Sequence, residues 1–462
     1  MSCMAVSCGS TRIEYNQDCS QIRTQLACPH RFRCSADKVL QKSPTQATIG
    51  VSIIGAGERG IYYIGTRMAE IAADTGFRIV NVHDTLADRA RYAAEHLNGV
   101  YAAGGFSHTV SPVADLQAAI CDPAVDLVVV TTHTDAHRTP VEIAARAGKR
   151  VYLDKPIAVT LEDASAILEA EALSGEPVMM GFTRRYERPW IEAVDIARKG
   201  RIGDPQMILL RSVIPYTRYL QLWHRNQAKS GGAINDKCSH HFDVLNWIAG
   251  SPAVSVSAIG GRSGIFKPDP GAPQRCSECA RQCPYRRHHT LVDKFEGVGR
   301  VANDSWTHAD RIEDRNDNCV YLPGADIDDH AIVSVTYENG MTACLFFTIF
   351  GPWAPDQETL EIVGSSGRLR MERHSGEIDL VSAHGHRNET IRFADPDRGS
   401  THFGADLELV RTMRGFMDGD APPVGPKDGL MSLRMVHAAL WSLRNNGQPI
   451  NPALAMDMVE AA

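Results

Sequence analysis

No uninterrupted apolar stretch of this chain approaches the ~20 residues that a membrane-spanning helix requires. The first 47 residues also lack the apolar core of a secretory leader. Basic residues are not in excess: 48 Lys and Arg stand against 55 Asp and Glu, a net charge of −7, with a sequence pI near 6.2. That balance argues against a surface built for nucleic acid, and no basic helix or DNA-reading module is evident. Internal repeats and long low-complexity tracts are missing as well. What is there is ordinary for a soluble globular protein, with 43% hydrophobic and 22% charged residues. We therefore expect a cytoplasmic protein with no membrane or nucleic-acid partner. Its 462 residues suffice for two or three domains with large cores.

Residues 1–47 differ from the rest. They hold Cys3, Cys8, Cys19, Cys28 and Cys34 among Ser, Gln, Arg and Asn, with no sustained period. We read them as a mobile extension rather than a cysteine-rich metal module. From Thr48 to Gly181 strand-like runs (49–54, 77–83, 126–131, 150–153, 177–181) alternate with helix-like ones (58–73, 86–97, 111–121, 136–147, 161–173). Such alternation predicts an α/β domain at 48–181, a doubly wound parallel sheet with helices on both faces. Residues 182–462 read as a second α/β domain with a large open mixed or antiparallel sheet. Its strands fall near 206–214, 253–260, 331–338, 341–350, 358–364, 367–372 and 378–382. Helices are expected at 188–200, 233–249, 403–418 and 429–446, the last two packing back on the fold. The segment 262–329, rich in Pro, Cys, Arg, His and Asp, reads as a long insertion.

The most informative motif is Gly55-Ala56-Gly57-Glu58-Arg59-Gly60, a G-x-G-x-x-G between a β-branched strand and a helix. In that context Gly55 would allow a tight turn, Gly57 close approach to a pyrophosphate, and Gly60 close helix–strand packing. The following helix N-terminus offers free N–H groups to phosphates. Asp84, at the end of the second strand and about 20 residues further on, would accept the adenosine ribose hydroxyls. Its charge would repel a 2′-phosphate, so the cofactor expected is NAD rather than NADP.

Lys155 follows a strand and precedes Pro156, which holds it at the strand tip. A lysine there would hydrogen-bond a substrate hydroxyl and stabilise alkoxide character as hydride leaves. In Gly231-Gly232-Ala233-Ile234-Asn235-Asp236-Lys237-Cys238-Ser239-His240-His241-Phe242-Asp243, the residues Asp236, His240 and Asp243 share one helix face. Carboxylates a turn either side would fix the His240 tautomer and raise its basicity, making it a general base. Zinc on Asp236, His240 and His241 is disfavoured, because adjacent histidines on a helix point to different faces. Arg211, Arg218, His224 and Arg225 are further candidates to line the site. Cys276, Cys279 and Cys283, with Cys319 or else His288 or His289, leave three readings open: structural zinc, free thiols or a disulfide.

Together these motifs resemble the Gfo/Idh/MocA oxidoreductases, from about Thr48 to the C-terminus. The resemblance rests on the G-x-G-x-x-G at Gly55 to Gly60, and on Thr132-His133-Thr134-Asp135-Ala136-His137 in place of T-P-N-x-x-H. It rests also on Asp154-Lys155-Pro156 in place of E-K-P, on Gly181-Phe182-Thr183-Arg184-Arg185-Tyr186, and on the Asp236, His240, Asp243 pattern. It implies a Rossmann domain, a C-terminal α/β domain whose open sheet supports homodimers or homotetramers, and Lys155, Asp236 and His240 as the catalytic set. Gly55, Gly57, Glu58, Arg59, Gly60, Asp84, Thr132, His133, His137, Asp154, Lys155 and Arg185 are then expected around NAD. Tyr186, His241 and Trp223 are expected toward a carbohydrate substrate. Asp154, His133 and Thr134 depart from the family pattern. The expected activity is NAD-dependent oxidation of a secondary alcohol on a sugar, cyclitol or glycoside, or the reverse. An oxidoreductive glycosidase and a non-catalytic nucleotide sensor are the alternatives.

Overall fold

The computed structural model describes residues 47–286, 311–312, 315, 317–352, 354, 356–394, 402 and 404–455. The cysteines of the first 47 residues, with His288 and His289, lie outside them. Six parallel strands form the first sheet: β1 (Ile49–Ile54), β2 (Phe77–His83), β3 (Ser111–Pro112), β4 (Leu127–Val130), β5 (Arg150–Asp154) and β6 (Val178–Gly181). Their order is β3-β2-β1-β4-β5-β6, so the winding reverses beside β1, between β1 and β4. Every residue of β1, β4 and β6 is buried, as a sheet covered on both faces demands.

Two local departures from the sequence reading have identifiable causes. The helix expected over 111–121 begins only at Leu116, because Asp115 accepts the Ala118 N–H and caps it. The helix expected to stop near 97 runs to Ala103. Its last turn is held by the buried Tyr101, whose hydroxyl accepts the Ile79 N–H at 3.0 Å on β2.

The second sheet has eight strands: β7 (Pro205–Val213), β8 (Ala253–Gly261), β9 (His330–Tyr337), β10 (Thr342–Thr348), β11 (Glu358–Gly364), β12 (Arg368–Glu372), β13 (Glu377–Ser382) and β14 (Arg387–Arg392). Their order is β14-β13-β12-β11-β7-β10-β9-β8, with only β7 and β10 parallel. β14 escaped the sequence reading because it is a polar, exposed edge strand with no apolar alternation. The helices Arg188–Arg198, Gly232–Ala249 and Pro426–Arg444 cover one face. The opposite face carries Ile259, Ile332 and Phe346 in register on β8, β9 and β10. Ile259 is 60% exposed and Met207, on β7, 59%, so this face is apolar and open. Arg211 belongs to it too and pairs with Asp356 at 2.9 Å, away from the crevice where it was expected.

Candidate active site

The ends of β1, β2, β4 and β5 meet at one rim. Gly55 leaves β1 at φ +99°, and a Cβ there would stand 2.6 Å from the Thr131 carbonyl. At Gly60 a Cβ would meet the Thr131 hydroxyl at 2.4 Å, so the helix packs on the strand as closely as backbone allows. A Cβ on Gly57, by contrast, would meet nothing within 4 Å: that position faces open space. Asp84 fastens the loop, one oxygen accepting the Ala56 N–H and the other the Leu86 N–H, each at 2.9 Å. The Thr132 hydroxyl is buried and has no protein partner. An open glycine, a bolted turn and an orphaned hydroxyl suit a dinucleotide phosphate cradle. His137 pins the adjoining loops, its two ring nitrogens 3.3 Å from the Thr132 and Ile157 carbonyls.

Two residues expected at the cradle point elsewhere. Arg59 donates to Asp154 at 3.1 Å and to the Tyr152 hydroxyl at 3.3 Å, and it pairs with Asp406 from the C-terminal region. Asp154 is thereby buried against Arg59 and Tyr152. Both shape the loop from beneath.

Lys155 stands at the tip of β5, followed by a cis bond to Pro156. Its Nζ donates to the Asp236 carbonyl at 2.7 Å and to Oδ1 at 3.1 Å. The Tyr219 hydroxyl donates to Asp236 Oδ2 at 2.5 Å, and His224 Nε2 lies 3.8 Å from Oδ1. Burial alone would raise the Asp236 carboxyl, but Lys155, His224 and Tyr219 carry it well below the usual carboxylate range. Burial pushes His224 down to about 3. His240, one turn after Asp236, is buried, and its Nδ1 has no partner. Burial first, then the Lys155 charge, hold it well below an ordinary histidine, so it is neutral.

The expected flanking of His240 by two carboxylates is not found. Asp236 is taken by Lys155 and Tyr219, and Asp243 receives a two-pronged bond from Arg185 at 2.9 Å per prong. Cations on neighbouring elements reach these carboxylates, so packing, including the edge of Phe182, sets the imidazole. Arg185 is committed to Asp243 and stacks over Trp247 rather than reaching the crevice. Tyr186 is buried, donating to the Met180 carbonyl at 3.2 Å. Trp223 stacks with His133 at 4.2 Å and with His224 at 4.0 Å between ring centroids. Two near-parallel rings that close must occupy opposite faces of the indole, which leaves only its edge for a ligand.

Behind the helix Gly232–Ala249 lies a charge cluster that the motifs did not disclose. Arg184 Nη2 donates to both oxygens of Glu358 at 2.9 Å and Arg373 to one at 2.9 Å, with Lys237 Nζ at 3.3 Å. Glu187 joins Arg373 and Arg184. All five are buried. His241 belongs here, 3.7 Å from Glu358 and fully buried, not toward a substrate. Burial opposes the Glu358 charge, but Arg184, Lys237 and Arg373 hold its carboxyl well below its usual range. The available signal was a glutamate inside an inward-facing strand pattern and a lysine inside an apolar helix.

Among the described residues, no group of three or more His, Cys, Asp or Glu is placed to hold a metal. Cys276, Cys279, Cys283 and Cys319 form no disulfide. Their segment braces the stretch that lines the crevice instead. Gln221 donates to Cys276 Sγ at 3.6 Å, Asn318 to the Gln221 carbonyl at 2.8 Å, and Arg225 to the Pro323 carbonyl at 3.1 Å.

A 3-2-1-4-5-6 parallel sheet with a glycine cradle, joined to an open mixed sheet whose covering helix carries a lysine-bound aspartate, defines the class of two-domain dinucleotide-dependent oxidoreductases. Two family models match: the oxidoreductase NAD-binding Rossmann fold over residues 49–182, and the oxidoreductase C-terminal alpha/beta domain over residues 196–451. The chain belongs to the Gfo/Idh/MocA oxidoreductase family. It is 27% identical to the oxidoreductase YteT of Bacillus subtilis over 64% of this chain and 70% of that protein. It is 33% identical to an inositol 2-dehydrogenase of Gluconacetobacter diazotrophicus over 46% of this chain and 58% of that enzyme. An oxidoreductase domain protein from Kribbella flavida shares the fold, with a TM-score of 0.67 and 20% identity over 87% of this chain and 99% of that one.

Proposed function

We propose that this protein oxidises a secondary alcohol of a sugar, cyclitol or glycoside, or reduces the matching ketone, with NAD as hydride partner. The observation carrying this reading is Lys155 held on Asp236 one turn before a neutral, buried His240. Gly55 to Gly60 and Thr132 would hold the cofactor's phosphate and nicotinamide ends, and Asp84 its adenosine ribose. When bound, NAD supplies a hydride acceptor. Lys155 then donates a hydrogen bond to the carbinol oxygen, and His240 accepts the hydroxyl proton. Asp236 keeps the ammonium aimed. The kinship to an inositol 2-dehydrogenase supports a polyol substrate.

The same reading includes self-association through the apolar face of β7 to β11, as homodimer or homotetramer. It places the protein in the cytoplasm; no helix of the described residues is long and apolar enough to cross a membrane.

A panel of sugars, inositols and glycosides, followed at the NADH band, tests it. Lys155→Ala and His240→Ala should each lower turnover at least ~100-fold while NAD binding persists. Full activity in either variant overturns the assignment. Aglycone release without net NADH would show oxidation–elimination with hydride return instead.

A further inference from the structure

The stretch from Ile214 to Asn226 leaves β7 and spans the crevice between the two sheets. It touches the Rossmann domain at two places. Trp223 stacks on His133 beyond β4, and the Arg218 guanidinium lies 3.7 Å from Glu58 Oε2 in the glycine loop. Glu58 follows Gly57, the position that faces open space, so Arg218 reaches the rim of the cradle itself. Its side chain is 49% exposed and that of Glu58 41%. An exposed pair of that length contributes little and exchanges partners readily.

The loop's own cation, Arg59, does not face the cradle. A pyrophosphate brings two negative charges beside the Glu58 carboxylate, while Arg59 is committed beneath the loop to Asp154 and Asp406. Resting on the dinucleotide reading above, we propose that Arg218 is a pyrophosphate ligand contributed across the crevice by the substrate domain. On binding, its planar fork leaves Glu58 for the phosphate oxygens, a two-pronged contact that guanidinium makes better than ammonium.

This placement couples the two ligand sites. Tyr219, the next residue, donates to Asp236, which holds Lys155. Seating Arg218 on phosphate therefore places its neighbour Tyr219 on the carboxylate that holds Lys155.

Calorimetric titration of the full chain with NAD and ADP-ribose, with adenosine followed by saturation-transfer NMR, tests the assignment. Arg218→Ala should weaken NAD and ADP-ribose at least ~10-fold, leave adenosine unchanged and keep the melting temperature. Arg218→Lys should fall between, and Glu58→Gln should bind ADP-ribose at least as tightly as the parent. Parental ADP-ribose affinity in Arg218→Ala, or an equal loss for adenosine, overturns the proposal. A parent chain that binds neither NAD nor ADP-ribose overturns the dinucleotide reading as well.

Discussion

The two walls of the crevice are built from different materials. On the Rossmann wall the decisive features are backbone: a glycine at positive φ, a glycine with no room for a Cβ, and amide groups tied to Asp84. On the opposite wall they are charges: Asp236, reached by Lys155 from the tip of β5, Asp243 under Arg185, and three cations around Glu358 and Glu187. A backbone cradle binds what every dinucleotide shares. A wall of buried ion pairs holds a few side chains in fixed places and leaves specificity to the edges they expose. The difference teaches that the first wall is sensitive where a Cβ would enter the backbone turn and the second where a charged side chain would be lost.

The largest test of this contrast is Gly60→Val, which drives carbons onto the Thr131 hydroxyl and the Gly55 carbonyl. NAD affinity should fall beyond calorimetric detection while the second sheet stays folded by circular dichroism. Retained affinity would show that the cradle does not depend on that close approach.

Next comes Glu358→Gln. It leaves Arg184, Arg373 and Lys237 around a neutral hub, and it should cost about 3–5 kcal/mol in urea unfolding. A loss below about 1 kcal/mol would mean that Glu187 and Gln357 absorb the charge and that the second wall is softer than its burial implies.

Acidification separates the walls further. His224, His240 and His241 on the substrate wall, and His137 on the other, have pKa values lowered from 6.5, with burial the largest cause in each. The unfolded chain takes up protons near that value and the folded one does not. Their contribution is therefore full above the unfolded pKa and is lost as pH falls below it. Asp236 and Glu358, held low, lose theirs only in the carboxylate range and beneath it. The melting temperature should drop between pH 7 and pH 5, and His224→Phe should flatten that drop. An unchanged slope would remove His224 from the account.

The smallest effect on the fold is expected at Phe346→Asp on the open face, within about 0.5 kcal/mol. Sedimentation velocity should nonetheless show smaller species than the parent if copies meet there.

How much of this was legible follows the same division. The glycine loop, Asp84 and Lys155 could be found because each answers a local backbone demand: a turn, a strand end, a proline that follows. The alternation of strands located both sheets for the same reason. The partners of Asp236 and Asp243 could not be found, because helix periodicity gives the face a carboxylate occupies but not the cation that arrives from a different element. Tyr219 and Glu358 were missed since their roles come from residues on other elements. The cysteines show the limit of spacing: their intervals allow a thiolate centre, yet the described fold uses Cys276 as a prop beneath Gln221.

The second sheet ends differently on its two sides. β14 presents Arg387, Glu389 and Arg392 along an exposed margin, while at β8 the Val256 amide and carbonyl are occupied by Ile450 from the C-terminal stretch. One border is charged and the other bridged at Val256, features that disfavour strand addition by another molecule. Copies that meet broad side to broad side about a twofold axis complete themselves and stop.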